Sequence, residues 1–245
     1  MLSSDSAINY YIENNLELNK IISPDIMIKA VLFDMDGVLI DTERINLTFT
    51  IETAKDFGFD LKPEDVLKQR STVPEESDRY YRSVYGENFD FYAIREERRR
   101  RMKIFIEDNG LDLKDGVEEV FEHLEKRNLK KAVVTSTQYD RAMNYIRMLG
   151  IENRFDTIVS ASMVERGKPY PDVYQYAAER IGEKPENCIA VEDSPNGVRA
   201  AYTAGCRVAV FSDLTEPDED MRKMGTWILK SMESLIGIVD GLLKD

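Results

Sequence analysis

The apolar positions of this chain fall into two regimes. In the first, short apolar runs end abruptly in polar residues. Ala30-Val31-Leu32-Phe33 stops at Asp34, and similar runs occur at Lys131-Ala132-Val133-Val134, Thr157-Ile158-Val159, Cys188-Ile189-Ala190-Val191, about 207–211 and about 226–229. Each is brief and rich in β-branched residues, which predicts strands buried on both faces. Between them, apolar residues recur at helical spacing over about 117–127, 139–149, 171–181 and 196–204, the last three closed by Gly150, Gly182 and Gly205. A final helix follows the last strand. Strands alternating with helices predict an α/β fold, a Rossmann-like parallel sheet sandwiched by helices.

The second regime fills the gap between the first two strands. Ile45, Phe49, Ala54 and Phe57 recur at helical spacing up to Gly58, and further helices are predicted at about 64–70, 75–85 and 89–109. No strand pattern interrupts this stretch before Asn109-Gly110. Residues 44–115 therefore read as an all-helical insert, a cap on a sheet domain made of 27–43 and 116–245. Tyr80, Tyr81, Tyr85, Phe89, Phe91 and Tyr92 read as the core of that insert. Residues 1–26 form a polar N-terminal extension, with a short helix suggested by Tyr10-Tyr11-Ile12 and Leu16.

Charge narrows the function classes. A net charge of −13 over 245 residues argues against a nucleic-acid partner, which calls for a basic patch. No apolar stretch approaches the roughly 20 residues of a membrane span, and the first residues lack the pattern of a secretory signal. Cys188 and Cys206 sit beside apolar runs and read as buried thiols of a reducing compartment. A cytoplasmic enzyme, a monomer or weak dimer, fits these features.

Candidate chemistry lies where the strands end. Asp34 and Asp36 are two apart after the first strand, so they share a face while the backbone stays extended. Like charges this close resist ionisation unless a cation or proton lies between them. A solvated Asp-Gly turn is the ordinary explanation of a single Asp-x-Asp-Gly, and a calcium loop would need its glycine at position six rather than Gly37 at position four. Partners elsewhere in the chain decide the matter. Thr135-Ser136-Thr137 ends the second strand, Lys168 lies in the loop after the third, and Glu192-Asp193 ends the fourth. In a parallel sheet these ends line one edge, where ligands bind. Carboxylates for a cation, hydroxyls for an oxyanion and a lysine for its charge are what phosphoryl transfer requires, and Mg²⁺ is suited by such an oxygen set.

Together, Asp34-Met35-Asp36-Gly37-Val38-Leu39-Ile40-Asp41-Thr42-Glu43, the Thr135-Ser136-Thr137 strand end, Gly167-Lys168-Pro169-Tyr170-Pro171-Asp172-Val173-Tyr174 and Val191-Glu192-Asp193-Ser194-Pro195-Asn196-Gly197 resemble the haloacid dehalogenase superfamily. Within it the likeness is to phosphatases and β-phosphoglucomutases with a helical cap. The resemblance runs from about residue 28 to the C-terminus. It implies that Asp34 attacks phosphorus to form an aspartyl-phosphate, and that Asp36 protonates the leaving oxygen and later activates water. It implies that Thr135 holds the transferring group, that Lys168 neutralises it, and that Asp193 with Glu192 binds Mg²⁺ beside Asp34 and the backbone carbonyl of Asp36. Gly37, Ser136, Thr137 and Arg70 are expected to contact a small phosphorylated metabolite such as a sugar phosphate. Asp41 and Thr42 read as caps of the first insert helix.

Departures bear on the reaction. The β-phosphoglucomutase branch has a histidine where this chain has Asn46, which favours hydrolysis over mutation. The single histidine, His123, reads as a surface residue and excludes a His-ligated metal or a Ser-His-Asp triad. Arg98-Arg99-Arg100-Arg101 after Glu96-Glu97 reads as a solvated helix with Glu–Arg pairs, although an arginine turned inward there could grip an anionic substrate. A phosphomutase is the second enzyme reading and dehalogenation a third. A phosphoacceptor or vestigial regulatory protein is the non-enzyme alternative.

Overall fold

The computed structural model describes residues 27–70 and 72–243, so the helix expected near Tyr10 to Leu16 lies outside the described residues. Six strands form one sheet: β1 (Ala30–Phe33), β2 (Lys130–Thr135), β3 (Thr157–Ser160), β4 (Cys188–Glu192), β5 (Arg207–Phe211) and β6 (Trp227–Leu229). Their order is β3-β2-β1-β4-β5-β6, and every pairing is parallel. Phe33 pairs with Val133 on one side and Val191 on the other, so the ends of β2 and β4 flank the end of β1. The order reverses beside β1, and that crevice is where open α/β sheets bind ligands.

All four β1 residues are buried because both faces of the sheet are covered. Val31 and Phe33 join one apolar cluster with Phe121 and Leu124 of α5 (Val117–Lys126) and Leu235 and Val239 of α10 (Ser234–Leu242). Ala30 and Leu32 join the other with α7 (Asp172–Arg180) and α8 (Pro195–Ala204). The remaining sheet-side helices are α6 (Tyr139–Met148) and α9 (Glu219–Met224). Helix α9 was not expected from the sequence, since its apolar content is carried mainly by Met221 and Met224 over six residues.

Between β1 and α5 lie α1 (Thr42–Asp56), α2 (Pro63–Lys68), α3 (Pro74–Tyr85) and α4 (Phe91–Asn109). They surround their own apolar cluster, in which Tyr81 stacks on Phe89 at 5.0 Å between ring centres. Tyr80, Tyr85 and Phe91 pack against it, whereas Tyr92 is exposed. The Tyr80 and Tyr85 hydroxyls donate to Asp65 at 2.5 and 2.6 Å, which satisfies a carboxylate on the edge of this cluster. The segments that enter and leave this helical stretch touch through an isolated antiparallel bridge between Ile40 and Leu113. Among the described residues no helix is long and apolar enough to cross a membrane. His123 is tied to Asp240 at 3.0 Å, away from the carboxyl edge of the sheet.

Candidate active site

Asp34 begins the site because β1 ends there: its backbone N–H still donates to Val191 at 3.0 Å, and its side chain then emerges between β2 and β4. The chain turns at Gly37, whose φ of +87° belongs to the left-handed region that favours glycine. Gly37 is therefore a turn residue rather than a cavity contact. Its N–H is spent on Ile40 at 2.8 Å, and it is not among the residues that line the cavity of the site, although it was expected to contact substrate. A Cβ at this position would collide with the Asp193 carboxylate. Gly37→Ala is expected to lower stability by about 1–3 kcal/mol, or about 2–12 °C in a thermal melt of a chain this size. An unchanged melting temperature would contradict this account.

Lys168 is the hub of the charges. Its side chain is 4% exposed, and Nζ donates to Asp34 Oδ1 at 2.5 Å, Glu192 Oε1 at 2.5 Å and the Val134 carbonyl at 2.9 Å. All three ammonium protons are thus placed. Burial works against the charge, but the two carboxylates outweigh it and raise the lysine above its ordinary value. Glu192 is fully buried, accepts a further bond from the Tyr174 hydroxyl at 2.6 Å, and presents Oε2 to Ser194 at 3.3 Å. Protein donors therefore engage both oxygens of this expected metal ligand. Tyr174 ends the 167–174 motif, but the motif assigns it no role, because its spacing in α7 is simply that of a core residue.

Asp36 is held by hydroxyls. Thr42 donates to Oδ1 at 2.6 Å, Thr137 to Oδ2 at 2.8 Å, and Thr135 reaches Oδ2 at 3.5 Å. Thr42 thus serves the carboxylate rather than capping α1. Asp41, at the cap position, makes no capping bond because Arg44 draws its carboxylate at 2.8 Å. Thr135 is fully buried, and its hydroxyl accepts the Thr137 N–H at 3.0 Å. Ser136 and Thr137, not Thr135, form that part of the cavity wall.

Asp193 faces Asp34 from the end of β4. Burial, opposed by Arg70, pushes its carboxyl up to about 7. Burial also holds the Asp34 carboxyl well above the usual range, with Lys168 opposing it and Glu192, Asp193 and Asp36 adding to it. Arg70, from the turn after α2, hydrogen-bonds Asp193 through Nη2 and lies 3.3 Å from Glu43 through Nε. One oxygen each of Asp34, Glu192 and Asp193 lie within 4.8 Å of one another, all buried. Such convergence of like charge fits a hard divalent cation.

These groups close one end of a cavity of about 870 Å³ between the sheet edge and the inserted helices. Its remaining wall includes Asn46, Arg98 and Arg99 from the helical segment, and Arg141 and Tyr145 from α6. The arginine run thus divides. Arg100 and Arg101 pair with Glu97 at 2.7 and 2.8 Å, the second at the expected i,i+4 spacing, whereas Arg98 and Arg99, which line the cavity beside Arg100, form no ion pair among the described residues.

Comparison with known proteins agrees with this arrangement. Residues 31–211 match the model of the haloacid dehalogenase-like hydrolases. The chain belongs to that family. It is 35% identical to the phosphorylated carbohydrates phosphatase of Thermotoga maritima over 187 residues, 72% of this chain and 82% of that protein. It is 32% identical to hexitol phosphatase A of Escherichia coli over 185 residues, 74% of this chain and 81% of that protein. Among solved structures, CbbY from Rhodobacter sphaeroides in complex with phosphate superposes with a TM-score of 0.66 at 26% identity, covering 85% of this chain and 96% of that one. The chain is thus an enzyme of a hydrolase family whose relatives include sugar-phosphate phosphatases.

Proposed function

We propose that this enzyme is a Mg²⁺-dependent phosphatase that hydrolyses a small phosphorylated metabolite, a sugar phosphate, through an aspartyl-phosphate. The observation that carries the reading is the pairing of two differently held carboxylates at one end of the cavity. Asp34 sits on the Lys168 ammonium, and Asp36 sits in a cradle of threonine hydroxyls. An Asp34 oxygen would attack phosphorus while the bond to the leaving oxygen breaks and Asp36 gives that oxygen its proton. Asp36 would then take a proton from water as the water oxygen attacks phosphorus and the bond to Asp34 breaks. Lys168 would hold the Asp34 carboxylate in place through both steps, with Glu192 and Tyr174 fixing the lysine from behind.

Asp34, Asp193 and the Asp36 carbonyl would hold Mg²⁺, with Glu192 acting chiefly on Lys168. The bound ion would supply positive charge to the phosphoryl oxygens. Residues 44–115 serve in this reading as a cap that excludes water, and Arg70 is the cap residue that reaches deepest. A relative named a phosphorylated carbohydrates phosphatase and another named a hexitol phosphatase support the substrate class. A cytoplasmic location is part of the reading, supported by two buried cysteines that remain free.

The test is phosphate release from a panel of sugar phosphates with Mg²⁺ and with EDTA. Release from at least one member, abolished by EDTA and restored by excess Mg²⁺, is the expected result. Interconversion of phosphohexose isomers without free phosphate would make the enzyme a mutase, and no turnover of any kind would overturn the enzymatic reading.

A further inference from the structure

The cavity that holds Asp34 is also lined by arginines that form no ion pair among the described residues. Arg98 and Arg99 project from α4 and Arg141 from α6, so the charges come from both sides of the cleft. Arg98 reaches only the Thr50 hydroxyl, at 3.5 Å, and its Nε is buried without a hydrogen-bond partner. The next two arginines along the same helix, Arg100, which also lines the cavity, and Arg101, are both paired with carboxylates. In a chain of net charge −13, supplying three more acidic partners would be the cheap course.

Mutual repulsion makes the arrangement costly. Burial first, then Arg99 and Arg95, press the Arg98 guanidinium down to about 10, with Glu43 opposing. Arg99 is lowered by burial, by Arg95 and by Arg141, with Glu96 opposing, so it senses the charge carried by α6. Glu43, Glu96, Glu107 and Asp140 also line the cavity, and none of them forms an ion pair with these arginines. Guanidinium groups gathered without a direct ion pair, in the cavity that holds the phosphoryl-transfer site, match an oxyanion brought by a ligand.

We propose that the substrate carries a second anionic group, a phosphate or a carboxylate remote from the transferred phosphoryl group, and that Arg98, Arg99 and Arg141 receive it. This rests on the phosphatase reading for the orientation of the substrate. It assigns the Asp34 end of the cavity to the transferred group and the arginine end to the group that stays with the product.

The test separates binding from turnover. Full-length Asp34→Asn protein with Mg²⁺ is titrated calorimetrically with matched pairs: fructose 1,6-bisphosphate against fructose 6-phosphate, and 6-phosphogluconate against glucose 6-phosphate. The expected result is about 10- to 100-fold tighter binding of one or both doubly anionic partners, since charge-assisted bonds to arginine are worth that much. Preference in the first pair alone identifies a phosphate, and in the second a carboxylate. In the same background, Arg99→Ser with Arg141→Ser should bring the ratio toward one. Both positions are exposed, so these substitutions leave the core intact. Arg98→Lys should keep part of the ratio that Arg98→Gln loses. Equal affinities within both pairs, or a ratio that survives the double substitution, would overturn the proposal. Phosphate release by the wild type is read separately. Release without any binding preference sinks this inference and leaves the phosphatase standing, and a preference without release does the reverse.

Discussion

Asp34→Asn is expected to lose at least about 10⁴-fold in phosphate release, because the substitution removes the attacking oxygen and leaves nearly everything else in place. Asparagine has the same shape and can still accept the Lys168 hydrogen bond that Asp34 Oδ1 accepts at 2.5 Å. The lysine also keeps its bonds to Glu192 and Val134, so the hub survives. Removing one of several crowded acids relieves repulsion that helps raise the Asp34 carboxyl. The melting temperature should therefore stay close to that of the wild type while turnover disappears. Asp36→Asn gives the contrast. It removes a proton carrier rather than a nucleophile, so the loss should be smaller, about 10²–10⁴-fold, and smallest for aryl phosphates whose leaving group needs no proton. Release assays on sugar and aryl phosphates, run beside thermal melts, check both expectations. Phosphate release by Asp34→Asn at near-wild-type rate would remove Asp34 from the chemistry.

The residues of this site were legible in the sequence to the degree that topology alone could place them. Asp34, Lys168 and Asp193 follow apolar runs whose alternation with helices dictates a parallel sheet, and a parallel sheet brings its strand ends together whatever the loops do. Six strands were recoverable for that reason, each within one or two residues. What remained hidden depends on phase or on contacts across the cleft. The pattern Glu96-Glu97-Arg98-Arg99-Arg100-Arg101 fixes the presence of a helix but not its rotation, and it is rotation that brings Arg98, Arg99 and Arg100 to the cavity and leaves only Arg100 of the three paired with Glu97. Arg70 and Asp193 are far apart in the chain, and their contact follows from how the inserted helices sit over the sheet. Thr42 looks like a capping residue by local rules. It is diverted because Asp36, six residues earlier, curls back through the Gly37 turn to meet it. Glu192 has the ligand type expected for Mg²⁺, yet Tyr174 and Lys168 converge on it from other elements.

That convergence makes Lys168→Met the substitution with the largest expected effect on stability. Methionine preserves much of the volume but leaves two buried carboxylates and a carbonyl without the ammonium that joins them. Removing one partner of a buried ion pair costs about 3–5 kcal/mol, roughly 6–20 °C in melting temperature for a chain of this length. The loss should depend on pH, and its sign follows from Asp34. Burial already raises that carboxyl, and Lys168 is the main influence opposing it. Without the lysine, the folded state holds the Asp34 proton to still higher pH, whereas the unfolded chain releases it near an ordinary value of about 4. A carboxyl raised in the folded state makes stability fall as pH rises through that window. The deficit of Lys168→Met relative to wild type should therefore be larger at pH 8 than at pH 5. Adding Asp34→Asn and Glu192→Gln to Lys168→Met leaves the three groups uncharged, and this variant should regain much of the lost stability while remaining inactive. Melts of the single and triple variants at the two pH values test the argument. A deficit that neither shrinks at low pH nor recovers in the neutral variant would mean that Lys168 stabilises the fold by packing, not by charge.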